Sequence, residues 1–470
     1  MGVRFAGDCQ PYLTLVASRS RPRRSAAHVV TAAVGIVLAI AVPALLAPFA
    51  VPAHGALPDR PPEPVGFDSA TVQRGAGLAA VGDCASCHTA AFGAPYAGGV
   101  ALRTPFGTIH GTNITPDPDT GIGRWSEAAF VRAMREGVDR EGKQLYPAFP
   151  YDHFTHASDD DLHALYAFVM TRDPVHAPNV ANALRFPFGF RPLIAGWKLL
   201  FLKRGPEPVV DPIQSATWNR GAYLVRSLGH CGACHTPRNA LGAEERSREF
   251  AGGVAEGWYA PALDEHSPSP LPWSVDELAE YLRTGIAGDH AIAGGPMQQV
   301  VASLARAPEE DVRAIATYVA SRLSAAQPAQ QARAAAAHDR LARGALASGS
   351  GADVTQNDAA TLATGSAVYV GACASCHDRG REITSNGALQ LPLAIALYDP
   401  DPRSLLRIVR DGIAPPPAEP GRFMPAFGTS LSDEQLVALL TYLRASAAAA
   451  PPWPDLATRV RESKEAEALR

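Results

Sequence analysis

Apolar residues recur at three- and four-residue intervals in three separate parts of this 470-residue chain, and each part shows the same succession of elements. The first element is a short helix with a glycine on one face, marked by Arg74-Gly75, Arg220-Gly221 and Gly365. The second is an amphipathic helix that ends at a glycine: WSEAAFVRAMREGV, WSVDELAEYLRTGI and DPRSLLRIVRDGI. The third is SDDDLHALYAFVMTR, PEEDVRAIATYVASR or SDEQLVALLTYLRAS. Ser158 and Ser432 stand as N-caps there, and acids crowd all three starts, where the helix dipole favours negative charge. The pattern predicts a mainly α protein of three small domains, at 68–175, 214–324 and 361–447.

The connecting stretches differ in character. Residues 1–53 open with Arg4, Arg19, Arg21, Arg23 and Arg24 and continue as an apolar run from Ala26 to Ala53, the layout of a signal peptide or a retained membrane anchor. A proline-rich tether fills 54–67. The interdomain segment 176–213 contains RFPFGFRPLIAGWKLLFLKRG, which is expected to pack between domains one and two, with membrane or partner contact as the alternative. Residues 325–360, rich in Ala, Gln, Gly and Ser, read as a flexible linker. The tail at 448–470 reads as a surface helix.

Each domain carries one CxxCH unit: Cys84, Cys87 and His88; Cys231, Cys234 and His235; Cys373, Cys376 and His377. Two thiols and an imidazole at this spacing are the attachment site of c-type haem, the histidine being the proximal iron ligand. Three such units use six of the seven cysteines, which leaves no second ligand pair for a structural zinc. Cys9 lies before the export signal. A net charge of −4 gives no footprint for nucleic acid. No nucleophile triad, phosphate loop or dinucleotide fingerprint gives the chain a substrate site of its own. Export fits this cofactor, because haem c is attached outside the cytoplasm.

A haem iron that only transfers electrons needs a sixth ligand, commonly methionine. Only five methionines are present. Met297, in GGPMQQVV, and Met424, in RFMPAF, both fall between the second and third helices, where the chain can cross the haem face. Met170 falls in the apolar stripe of a helix. In domain one the corresponding position is Phe149, which has no lone pair to offer. His153, four residues on, is the expected ligand there. Met134, His110, His156 and an open or water-bound iron remain alternatives.

TPFGTIHGTNITPDPDTGIGRWS, LYPAFPYDHFT, GHCGACHTPRNALG, GWYAPAL, GGPMQQVV and RFMPAFG together resemble the three-haem cytochrome c subunit of membrane-associated bacterial dehydrogenases, over nearly all of residues 68–458. The resemblance implies three tandem class I cytochrome c domains and three covalently bound haem c groups. It also implies a conduit from a catalytic dehydrogenase subunit to quinone or a terminal oxidase, at the periplasmic face of the inner membrane, anchored or peripheral. Members serving quinoprotein alcohol and flavoprotein sugar dehydrogenases usually carry methionine where this chain has Phe149. The YPAFPYDHF variant is similar to the subunit accompanying molybdenum hydroxylases such as nicotinate dehydrogenase, which points to a molybdopterin partner, with or without a small iron–sulfur subunit. The competing class is a haem enzyme or a gas or peroxide sensor acting at an open first haem.

Overall fold

The computed structural model describes residues 54–59, 66–205, 210–323, 328–343, 358–378, 389–415 and 423–468. The expected signal or anchor segment at 1–53 lies outside them, as do residues 60–65 of the proline-rich tether and residues 325–327 and 344–357 of the expected linker. Among the described residues no helix is long and apolar enough to cross a membrane.

Three repeats of one helical arrangement follow in order. The first contains α1 (Ser69–Val81), α2 (Glu127–Glu136) and α3 (Asp159–Met170). A connecting helix, α4 (Pro192–Phe201), leads to the second, with α5 (Ala216–Arg226), α6 (Val275–Thr284), α7 (Pro296–Leu304) and α8 (Glu309–Leu323). After α9 (Pro328–Arg343) comes the third, with α10 (Ala359–Ala372), α11 (Arg403–Asp411), α12 (Asp433–Leu443) and the tail helix α13 (Leu456–Ala468). Strand pairing is slight. Strands β1 (Ala101–Thr104), β2 (Gly107–His110) and β3 (Ala183–Leu184) form one antiparallel sheet in that order. Strands β4 (Gly253–Ala255) and β5 (Trp258–Ala260) form a hairpin.

The chain forms these helices for local reasons. Ser126, Ser158, Ser274 and Ser432 each accept a backbone N–H of the first turn through the side chain, and Ser274 and Ser432 complete capping boxes with Glu277 and Gln435. Gly137 and Gly285 close α2 and α6 in the left-handed conformation, which glycine adopts without steric cost.

The glycines of the first helices are contact points. A Cβ on Gly75 would lie 1.9 Å from the Ala164 carbonyl oxygen, on Gly221 1.9 Å from that of Ala314, and on Gly365 2.2 Å from that of Ala438. First and third helices therefore cross backbone to backbone in all three repeats, a closeness only glycine permits. The arginines preceding two of these glycines tie the same crossing. Arg74 bonds Asp161 at 2.5 Å, and Arg220 grips Asp311 through two bonds of 2.7 and 3.0 Å.

Repeats one and two share one apolar core, in which Leu78, Val81, Leu162 and Leu165 meet Leu224, Leu228, Val312 and Ile315. The third repeat buries its own, around Leu362, Tyr369, Leu406, Leu439 and Tyr442. The tail belongs to that core, since Trp453, Leu456 and Val460 are buried in it and Trp453 Nε1 donates to the Asp399 carbonyl. Within the expected flexible linker, α9 is ordered on the fold: Ala337 is fully buried and Arg333 donates to the Ser267 carbonyl. The segment ahead of repeat two joins its neighbours, with Lys198 reaching repeat one and Trp197 Nε1 donating to the Leu241 carbonyl of repeat two.

Candidate haem-binding sites

Each CxxCH unit sits on a short helical turn just after the first helix of its repeat. Two of these junctions bend sharply. Gly82 and Gly229 close the preceding helix, and Asp83 and His230 then take left-handed backbone angles, φ 48° and 35°, to start the turn. The six cysteines are free and partly buried. Burial pushes the thiols of Cys84, Cys87 and Cys231 up to about 12 and those of Cys234 and Cys373 to about 11. Buried in this way, they carry little thiolate at neutral pH.

The three proximal histidines share one posture. His88 Nδ1 donates to the Thr112 carbonyl at 2.6 Å, His235 Nδ1 to Pro261 at 2.7 Å and His377 Nδ1 to Leu389 at 3.2 Å. Burial lowers the pKa of each ring, partly opposed by that carbonyl bond. The result is a neutral imidazole with its proton fixed on Nδ1 and the Nε2 lone pair free, the state an iron ligand needs. Glycines bring the carbonyl-bearing loops close: a Cβ on Gly111 would fall 1.7 Å from the Cys87 carbonyl oxygen, and on Gly253 2.4 Å from that of Cys234. The residues thus fit haem c at each of the three motifs.

The first two motifs adjoin. Cys234 adds to the rise in the pKa of Cys87, and Asp83 and Glu256 act on both thiols. Ser303 of α7 donates to Asp83 at 2.6 Å, and His230 Nε2 donates to the Gly82 carbonyl at 3.3 Å. Burial, and then the charge of Asp83, raise the pKa of Glu256.

The distal positions separate clearly. Met297 stands in the first turn of α7 after Gly295, whose φ of 54° and approach to the Trp258 ring admit no side chain. Met424 lies on the loop beyond α11, bridged to Ile413. The caps at 126 and 274 and the glycines at 137 and 285 correspond at a constant offset, and the same offset carries Phe149 onto Met297. Phe149 packs edge-on against Tyr151 and Phe154. Met134 corresponds to Leu282, and both are buried in the core, as is Met170. His110 precedes the segment whose Thr112 carbonyl holds His88, so it belongs to the proximal side of the first site. His156 Nδ1 donates to the Gly205 carbonyl.

His153, the expected sixth ligand of the first haem, is committed elsewhere. Its Nε2 lies 2.8 Å from Glu244 and its Nδ1 3.1 Å from the Arg226 carbonyl, both from repeat two. Burial opposes its charge, but the hydrogen bond and charge of Glu244, followed by Asp152, outweigh this and raise its pKa to about 9. Glu244 is depressed in return, His153 and Arg238 overcoming its own burial. In this arrangement both ring nitrogens are engaged by protein partners. The pair borders a cavity of about 520 Å³ between Asp152, Arg226, Arg246 and Leu199. The sequence gives no local sign of Glu244, which stands 91 positions from its partner. The carbonyls of Thr112, Pro261 and Leu389 have no side-chain signature at all.

A family model for cytochrome c matches residues 72–173 and 219–322, and one for cytochrome c oxidase, cbb3-type, subunit III matches 360–443. With the histidine geometry above, this defines a c-type cytochrome that holds covalent haem c. Among curated relatives, the chain is 46% identical over 408 residues to a nicotinate dehydrogenase subunit of Pseudomonas putida, covering 86% of this chain and 33% of that protein. It is 35% identical over 394 residues to the fructose dehydrogenase cytochrome subunit of Gluconobacter japonicus, covering 81% of this chain and 80% of the relative. It is 37% identical over 427 residues to the gluconate 2-dehydrogenase cytochrome c subunit of Pantoea cypripedii, covering 86% and 90%. The chain belongs to the family of cytochrome c subunits of bacterial dehydrogenases and is an electron-transfer subunit. It spans about a third of the length of the nicotinate dehydrogenase relative.

Proposed function

We propose that this chain carries three haem c groups, at Cys84/Cys87/His88, Cys231/Cys234/His235 and Cys373/Cys376/His377, and passes electrons from a catalytic dehydrogenase subunit to quinone or a terminal oxidase. The observation that carries this reading is the common posture of the three proximal histidines, each with Nδ1 bound to a carbonyl and Nε2 free. When bound, haem supplies a one-electron iron couple. The chain's residues attach it, shield it and set its ligands, Met297 and Met424 being the distal ligands of the second and third sites. The partner favoured is a molybdenum hydroxylase, supported by the similarity to the nicotinate dehydrogenase relative and by Phe149 in the methionine register. The basic start and apolar run of residues 1–53 support placement at the periplasmic membrane face.

A second reading concerns the first site, where Phe149 replaces the thioether and His153 is held by Glu244 and Arg226. An iron without a protein sixth ligand would take a small molecule such as peroxide. Both readings are tested on the matured chain. Pyridine haemochrome assay should return three covalent haems, and mixing with the reduced partner should reduce all three. Two haems, or no reduction by any dehydrogenase encoded beside it, would refute the conduit. Peroxide turnover by the isolated chain would favour the second reading.

A further inference from the structure

Helix α4 is inside out. Its one ionisable residue, Lys198, is only 6% exposed and donates from Nζ to the carbonyls of Glu136 and Gly137 and to Gln144 Oε1, each at 2.6 Å. Ala195 is buried beside it, while Leu199 and Leu200 are 68% and 72% exposed and Leu193 is exposed with them. A helix packed for water turns the other way round. The chain leading into it continues the same surface: Phe186 is 97% exposed, and exposed Phe188 packs edge-on against Phe106 at 4.7 Å. Phe106 in turn lies against Gly242, and Trp197 holds the neighbouring Leu241, also exposed. Six of the fourteen exposed large apolar side chains among the described residues therefore gather on one face.

Charge says what covers that face. Between Asp173 and Glu207 the sequence has no acidic residue, and it has five basic ones: Arg185, Arg191, Lys198, Lys203 and Arg204. Lys198 is turned inward to hold the helix down, whereas Arg185 and Lys203 are exposed around the apolar residues, and Arg204, also exposed, pairs with Glu136 at 3.7 Å. Ten helical residues reach about 15 Å, half the thickness of a bilayer, so α4 is too short to span one. An exposed apolar face rimmed by cations, on a helix too short to span, is the signature of an element lying in the plane of an anionic lipid surface.

We propose that the face formed by Phe186, Phe188, Leu193, Leu199, Leu200 and Leu241 docks the folded haem-bearing unit directly onto an anionic bilayer. This rests on the membrane-face placement above and adds to it a contact that does not depend on residues 1–53. It sets an orientation: α4 lies in the headgroup plane, with Arg185 and Lys203 on lipid phosphates.

The test uses the full haem-loaded chain on phosphatidylcholine vesicles with and without phosphatidylglycerol, each doped with a photoactivatable lipid, and labelled peptides are mapped by mass spectrometry. Peptides spanning 185–204 should be labelled on the anionic vesicles, and less so at high salt. Leu199→Glu with Leu200→Glu should cut that labelling about a hundredfold while leaving haem content and spectrum unchanged. Phe92→Glu, an exposed apolar residue in another part of the fold, should change nothing. Labelling confined to residues 1–53 would keep the membrane placement and overturn the docking face. No vesicle binding by the chain would overturn both. If the double variant labels normally but no longer co-purifies with its dehydrogenase, the face belongs to a protein partner and the proposal fails.

Discussion

Two glycines in α10 should respond in opposite directions to the same substitution. Gly365 faces α12, where a Cβ would lie 2.2 Å from the Ala438 carbonyl oxygen and 2.6 Å from the Tyr442 Cβ. Gly371, six residues on in the same helix, has nothing within 4 Å. Alanine at either position gains helix propensity, up to ~1 kcal/mol. At Gly365 the contact must also open by about 1 Å, and a gap of that size forfeits a quarter to a half of the dispersion energy across it. Overpacking of this kind costs ~1–3 kcal/mol. The net expectation is ~1–2 kcal/mol of destabilisation for Gly365→Ala, a factor of about 5–30 in local opening, against a small gain for Gly371→Ala. Hydrogen-exchange mass spectrometry on the mature chain reads this directly, because the third repeat has its own core. Amides of α10 and α12 should exchange faster in the first variant and slower or unchanged in the second. Equal effects of one sign would refute the backbone-to-backbone crossing, and with it the account of Gly75 and Gly221.

Three further outcomes follow from the sites. The raised pKa of His153, about 9 against about 6.5 unfolded, adds stability that is full below pH ~6.5 and lost as pH rises through ~9, worth up to ~3 kcal/mol. The depressed Glu244 contribution is lost instead as pH falls through its folded value. Urea denaturation at pH 7 and pH 10 should show this alkaline loss in the native chain and not in Glu244→Gln; parallel curves would remove the pair from the account. Met297→Ala and Met424→Ala should each convert one haem to a high-spin spectrum, and a variant that leaves every haem low-spin acquits that methionine. Cys373→Ala should lower the covalent haem count by one without disturbing the first two repeats, since the cores are separate.

Where local chemistry decides, the sequence is legible. Ser126 through Ser432 cap the helices they precede, and the glycine spacing marks the helix crossings. The haem motifs and the methionine register are equally plain, because attachment needs fixed residues at fixed intervals. What stays hidden is long-range or carried by backbone. The composition of 325–360 argues against a core, yet PAQQARAAAAHDRLAR is dominated by alanine, the best helix former, and a helix needs no core of its own when it docks on another. His153 sits near the ligand register in sequence, but its direction is set by Glu244 and Arg226 across a repeat boundary that a linear reading does not locate. The shared core of repeats one and two is invisible for the same reason.

That shared core meets its contrast one junction later. Repeats two and three meet through separate contacts and share no core: Ser404 Oγ donates to the Tyr259 carbonyl and accepts from its N–H, the Ile395 N–H donates to the His290 carbonyl, Gln298 donates to the Ala414 carbonyl, and Arg407 lies over the Trp258 ring. Tunnelling rates fall steeply with separation. A junction locked by continuous close packing holds one gap and one transit time, whereas a seam of separate hydrogen bonds without a shared core opens more readily. On the proposed three-haem reading, transfer between the second and third sites is then expected to slow with solvent viscosity, and transfer between the first and second sites is not.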